Sequence, residues 1–114
     1  MPDSKTLHIL WTNDNMDTSQ HMVMMYATNS MLHGWWDGVT VIIWGATAKL
    51  VVENEAIRLR MEMAVHAGVK FSACVSCANE LGVTKELEAL GIEVIRWGAK
   101  LTEILQNGGA LITV

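Results

Sequence analysis

The sequence is short of several residues whose abundance would define its chemistry. Its 114 residues include one Pro, one Phe, one Tyr and two Cys. Two cysteines do not make a disulfide framework, and at C-x-x-C spacing a bridge would close only a tiny loop. There is no second cysteine pair and no histidine pair at ligand spacing, so the four ligands of a structural zinc site are not supplied by local motifs. Neither G-x-G-x-x-G nor a P-loop occurs, which leaves nucleotide binding without support. Basic runs are also missing. With 8 Lys and Arg against 12 Asp and Glu, the formal charge is −4, and nucleic acid is not an expected partner.

The longest apolar run, "VTVIIWGA", is too short to cross a bilayer. "MPDSKTLHILW" lacks the charged-then-apolar order of a signal peptide. By elimination the expectation is a soluble, cytoplasmic protein with no membrane partner, no cofactor and no intrachain metal. A metal shared between subunits stays open.

What the chain does have is 51% hydrophobic content, eight Met and five Trp, ample for one core. No linker divides it, and its one Pro is Pro2. Residues 1–114 therefore read as a single domain. Strands are expected at Thr6–Thr12, Gly38–Gly45, Val69–Val75, "IEVIRWG" and "ALITV". Helices are expected from Thr18 to His33, stopped by Gly34, and from a Thr47 cap to Ala67, stopped by Gly68. A short helix capped by Thr84 and a last one in "KLTEILQNG" complete the series. Glu55–Arg58 and Arg58–Glu62 are spaced as helical ion pairs. In the Met-rich first helix, Met22, Met25 and Met31 are expected on the sheet, with Met24, Trp35 or Trp36 facing another subunit. Asn54 reads as a polar interruption at a subunit boundary.

Strands alternating with helices indicate an α/β protein: a three-layer, flavodoxin-like sandwich with a mostly parallel sheet of about five strands. In such a sheet every strand-to-helix turn emerges at one carboxyl edge. The turns carrying Asn13 and Asp14, Trp44 and Gly45, Cys74 and Cys77, and Trp97 and Gly98 should gather there. Helix capping accounts for Asn13–Asp17 at least as well as ligand binding does. "VTVIIWGATAKL" and "IEVIRWGAKL" repeat a strand, Trp-Gly-Ala, helix order. Either two turns found one solution, or Trp44 and Trp97 line a pocket together.

Cys74 and Cys77 admit two readings from the residues alone. Small thiols fill strand ends well, and "SACVSCA" is built almost wholly of small residues. Alternatively, a thiol at a helix start, capped by Ser76 or Asn79, has its thiolate favoured by the helix amides, and a second thiol three residues on can resolve it. The tight Pro-containing turn of thioredoxin-type chemistry is missing.

"VIIWGATAKLV", "GVKFSACVSCANELGVT", "LEALGIEVIRWGAKLTE" and the terminal "ALITV" together resemble the DsrE/DsrF-like family of small α/β proteins. The resemblance covers nearly the whole chain. It implies a homotrimer or homohexamer, and sulfur carried as a persulfide on a cysteine that matches Cys74, with Cys77 as an extra thiol. Sulfur donor and acceptor proteins are the implied partners. Leu81–Gly82 stands where sulfur-relay members have Arg–Gly, so one positive charge near the thiolate is missing. Two functions follow: a persulfide carrier, or a non-catalytic homo-oligomeric module that binds a small ligand or partner and has structural thiols.

Overall fold

The computed structural model describes residues 5–114; Pro2 and the rest of residues 1–4 lie outside the described part. Five strands, β1 (Thr6–Trp11), β2 (Gly38–Ile43), β3 (Lys70–Cys74), β4 (Glu93–Ile95) and β5 (Ala110–Thr113), form one sheet in the order β4-β3-β2-β1-β5. Every pairing is parallel. The helices are α1 (Met16–Thr18), α2 (Met25–Leu32), α3 (Ala46–Glu53), α4 (Glu55–Ala67), α5 (Val75–Leu81), α6 (Thr84–Ala89) and α7 (Gly98–Gln106). Between α1 and α2, Ser19–Met24 winds as a π-helix, so these three segments make one continuous helical run. The expected α/β sandwich is present.

The strand order decides which face each helix covers. From β1 to β4 the chain steps sideways in one direction, and right-handed crossovers put all the intervening helices on the same face. The return from β4 to β5 reverses direction, which sends α7 to the opposite face. Strand alternation follows suit: Leu7, Ile9, Trp11, Val39, Val41, Ile43 and Ala73 point under α2–α6 and form the main core. His8, Leu10, Thr40, Ile42, Lys70, Ser72 and Cys74 point toward the α7 side.

Several expectations on helices are corrected. The long second helix breaks at Asn54, which leaves helical geometry (φ −117°, ψ 109°) and accepts the Ile57 N–H at 2.9 Å as the cap of α4. Asn54 is thus a helix boundary. Thr47 does not cap α3; its buried hydroxyl donates to the Trp11 carbonyl (2.7 Å) and accepts from the Trp44 N–H (3.1 Å), tying β1 to the β2 turn. Thr84 is inside α6, and its hydroxyl bonds to Asn79 Oδ1. Arg58 forms neither expected ion pair. Its guanidinium donates to the Val51 and Val52 carbonyls at 2.9 and 2.7 Å, satisfying the end of α3.

The Met-rich helix is rotated from expectation, because the π-turn inserts an extra residue per turn ahead of α2. Met24 is in the core, while Met22 and Met25 are exposed. Met31 packs where expected, and its Cε lies 3.1 Å from where a Cβ on Gly68 would stand. With φ +110° as well, that position ends α4 with glycine for two reasons. Trp35 is exposed, but Trp36 is half-buried and donates its indole N–H to Tyr26.

Candidate functional site

Cys74 closes β3 and is itself the N-cap of α5, with φ −72° and ψ 120° and no capping by its side chain. Neither Ser76 nor Asn79 caps that helix; they lie within it. One turn on, Cys77 comes back over Cys74. Both thiols are free, Cys74 buried at 5% exposure and Cys77 half-buried. They are within hydrogen-bonding reach of each other. Burial pushes the Cys77 thiol up from its ordinary value, and the Gly45 N–H draws it partly back. The Cys74 thiol and the Glu80 carboxylate push it up further.

Around the pair sits a small apolar cluster separate from the main core: Ile42, Cys74 and Trp97, with Trp44, Cys77 and Ile95 packed against it. Both indoles expected at the rim therefore meet at the thiols. Their turns nevertheless differ. Gly45 caps α3 at φ +70° and ψ −131°, a backbone region suited to glycine, whereas Gly98 is simply the first helical residue after Trp97. Similar sequence here does not mean one turn repeated.

Trp97 is held by bonds that sequence reading did not find. Its indole N–H donates to Ser72 Oγ at 2.8 Å, and Ser72 Oγ donates to Glu93 Oε1 at 2.8 Å. The register explains the meeting: Ser72 pairs with Glu93, and Cys74 with Ile95, so Ser72 lies one same-face step below Cys74. Period-two alternation within "KFSAC" was the available signal. Lys100 lies over the Trp97 ring, 5.7 Å from its centroid.

Asn13 and Asp14 are exposed in the first turn of the same edge. Asn13 is occupied there: its carbonyl accepts from the Trp11 indole and the Ser19 hydroxyl, and its Oδ1 accepts the Asn15 N–H. Asn15 caps α1 through the Thr18 N–H. Helix capping is thus the observed role of this turn, and no bond joins it to the thiols. Among the described residues, no three His, Cys, Asp or Glu side chains cluster as metal ligands. No described helix is long and apolar enough to cross a membrane.

Toward the amino edge of the α7 face lie His8, Thr40, Lys70 and Glu93. His8 Nδ1 is buried without a hydrogen-bond partner. Burial holds the His8 imidazole below its ordinary pKa, and the Ala110 carbonyl offsets this in part.

Comparison with known proteins agrees with this architecture. A solved structure, of a conserved protein of unknown function from Bacteroides thetaiotaomicron, superimposes with a TM-score of 0.93 at 38% identity. The match covers 96% of this chain and 95% of that one. No curated protein matches the chain. The family model for the DsrE/DsrF-like family matches residues 11–114, which span every element from the end of β1 onward. The chain belongs to the DsrE/DsrF-like family.

Proposed function

We propose that the protein handles sulfane sulfur in the cytoplasm, where unpaired thiols persist, holding it as a persulfide on Cys74 with Cys77 assisting release. The observation that carries this reading is the placement of two free thiols in mutual reach, one ending β3 and the other one helical turn later. Family membership supports a sulfur-relay-related role. In the loaded state Cys74 Sγ bears a terminal sulfur. For release, the Cys77 thiolate attacks Cys74 Sγ; the bond to the terminal sulfur breaks, and hydrosulfide leaves with the electron pair. A Cys74–Cys77 disulfide results, and a cellular dithiol reduces it to restore the pair.

The test is intact-mass measurement after incubation with a persulfide donor and removal of the excess. Wild type should retain a gain of one sulfur atom that fragment ions place on Cys74, and the double substitution Cys74→Ser with Cys77→Ser should retain none. No gain in wild type, or a gain confined to Cys77 in wild type, overturns the proposal. The burial of Cys74 favours one other reading, a binding module with structural thiols. That reading requires no sulfur gain and a ligand-induced rise in melting temperature that survives both cysteine substitutions.

The proposal includes a homo-oligomer. Its support is the exposed Met22, Met25, Leu32 and Trp35 beside the exposed Leu59 and Met63 of the adjoining α4. Light scattering giving a monomer mass at micromolar concentration would remove that part.

A further inference from the structure

We propose that Trp97 is a gate over Cys74, so that sulfur enters through Cys77 and only then passes inward to Cys74. The proposal rests on the persulfide reading above and adds its order of events. Three observations carry it. First, the two thiols differ in access: Cys74 is 5% exposed, clustered with Trp97, also 5% exposed, and with the fully buried Ile42, while Cys77 is half-open to solvent. Second, Trp97 is fixed in place by its indole bond to Ser72, a hydroxyl at 3% exposure that is itself anchored on Glu93. An indole needs its N–H satisfied when buried, and here the partner comes from the strand that ends in Cys74. Third, the side chains clustered with Cys74 are apolar, Ile42 and Trp97 with Ile95 packed beside them, and Lys100 lies over the Trp97 ring, 5.7 Å from its centroid.

The steps balance without an outside oxidant. The Cys77 thiolate attacks the terminal sulfur of a small persulfide, R–S–SH; that S–S bond breaks, and R–S⁻ leaves. The Cys74 thiol gives up its proton to solvent, and its thiolate attacks the terminal sulfur now on Cys77. Cys77 departs as thiolate and is reprotonated, leaving the persulfide on Cys74 beneath the indole. Trp97 touches no reacting atom in the entry step; it acts by excluding the donor, and is a positioning residue for it.

The test loads the protein with cysteine persulfide and follows the one-sulfur mass gain over time. Cys77→Ser should load on the order of tenfold more slowly than wild type, because direct attack by Cys74 waits for the lid to open. Cys77→Ser combined with Trp97→Ala should recover most of that rate. Trp97→Phe, which keeps a ring and loses the Ser72 bond, serves as a milder second variant if the alanine variant does not fold. N-ethylmaleimide supplies a readout that general loosening would not reproduce. Trp97→Phe should speed labelling of Cys74 in the Cys77→Ser background and leave labelling of Cys77 in the Cys74→Ser background unchanged. Cys77→Ser loading as fast as wild type overturns the gate while leaving the persulfide reading intact. Absence of sulfur on every variant removes the persulfide reading, and equal maleimide rates at Cys74 with and without the lid then remove the gate as well.

Discussion

The two faces of the sheet are built to different standards. Under α2–α6, alternate residues of β1 and β2 are all apolar and sealed: Leu7, Ile9, Trp11, Val39, Val41 and Ile43 range from 0% to 2% exposed. Among the described residues, α7 is the single helix covering the opposite face, and it has no fully buried residue. Across β1–β4 that face is apolar toward the carboxyl edge, at Leu10, Ile42, Cys74 and Ile95, and polar toward the amino edge, at His8, Thr40, Lys70 and Glu93, while β5 sets Leu111 beside His8. Stability thus resides mainly on one side, and the thiol pair sits on the other. A thin cover suits a reactive group, since local opening there need not unfold the main core.

Replacing paired neighbours on β1 tests this division most strongly. Ile9→Ala removes a fully buried side chain from the thick side and should cost about 3–4 kcal/mol in chemical denaturation. Leu10→Ala, on the thin side and half-exposed, should cost about 1 kcal/mol. Equal losses would break the comparison.

A smaller effect is expected at the lid. Trp97→Phe, measured the same way, should cost about 1–2 kcal/mol through lost volume and the lost indole bond to Ser72, whose hydroxyl keeps Glu93. On the thick side, Asn54→Ala should cost about 1 kcal/mol by uncapping α4, and Asn54→Asp should restore it.

The smallest effect is a pH dependence located on the thin side. The folded-state pKa of His8 lies below its unfolded value, so the unfolded chain binds the proton more readily. Stability from this residue is full above the ordinary imidazole value of 6.5 and falls as pH drops below it toward the folded pKa. His8→Gln should flatten the fall in melting temperature across that window. An unchanged slope would show that His8 is not strained by burial.

The strand alternation and the Gly stops made most of the fold legible, because period-two patterns and left-handed glycines are local signals. The parallel sheet also followed from the strand–helix alternation, whereas the strand order β4-β3-β2-β1-β5 has no local signal and came from the observed pairing. What stayed hidden depended on competition between local and tertiary bonds. Asn54 could have continued a helix or capped one, and the Arg58 bonds to Val51 and Val52 accompany the break. The π-turn at Ser19–Met24 leaves no periodic signature in a stretch apolar nearly all round, so the expected sides of Met22, Met24 and Met25 are reversed. At the site, the gathering of Trp44, Gly45, Cys74, Cys77 and Trp97 was readable from the shared edge, whereas Ser72 and Glu93 required the register of β3 against β4.

The central claim is that the sheltered thiol stores the sulfur. Peptide mapping of donor-loaded wild type, with free thiols and persulfides both alkylated before digestion, reads this directly. Because both cysteines fall in one short stretch, fragment ions separating Cys74 from Cys77 locate the added sulfur atom. The account predicts it on Cys74 at steady state. Added sulfur confined to Cys77, or absent from both, would contradict it.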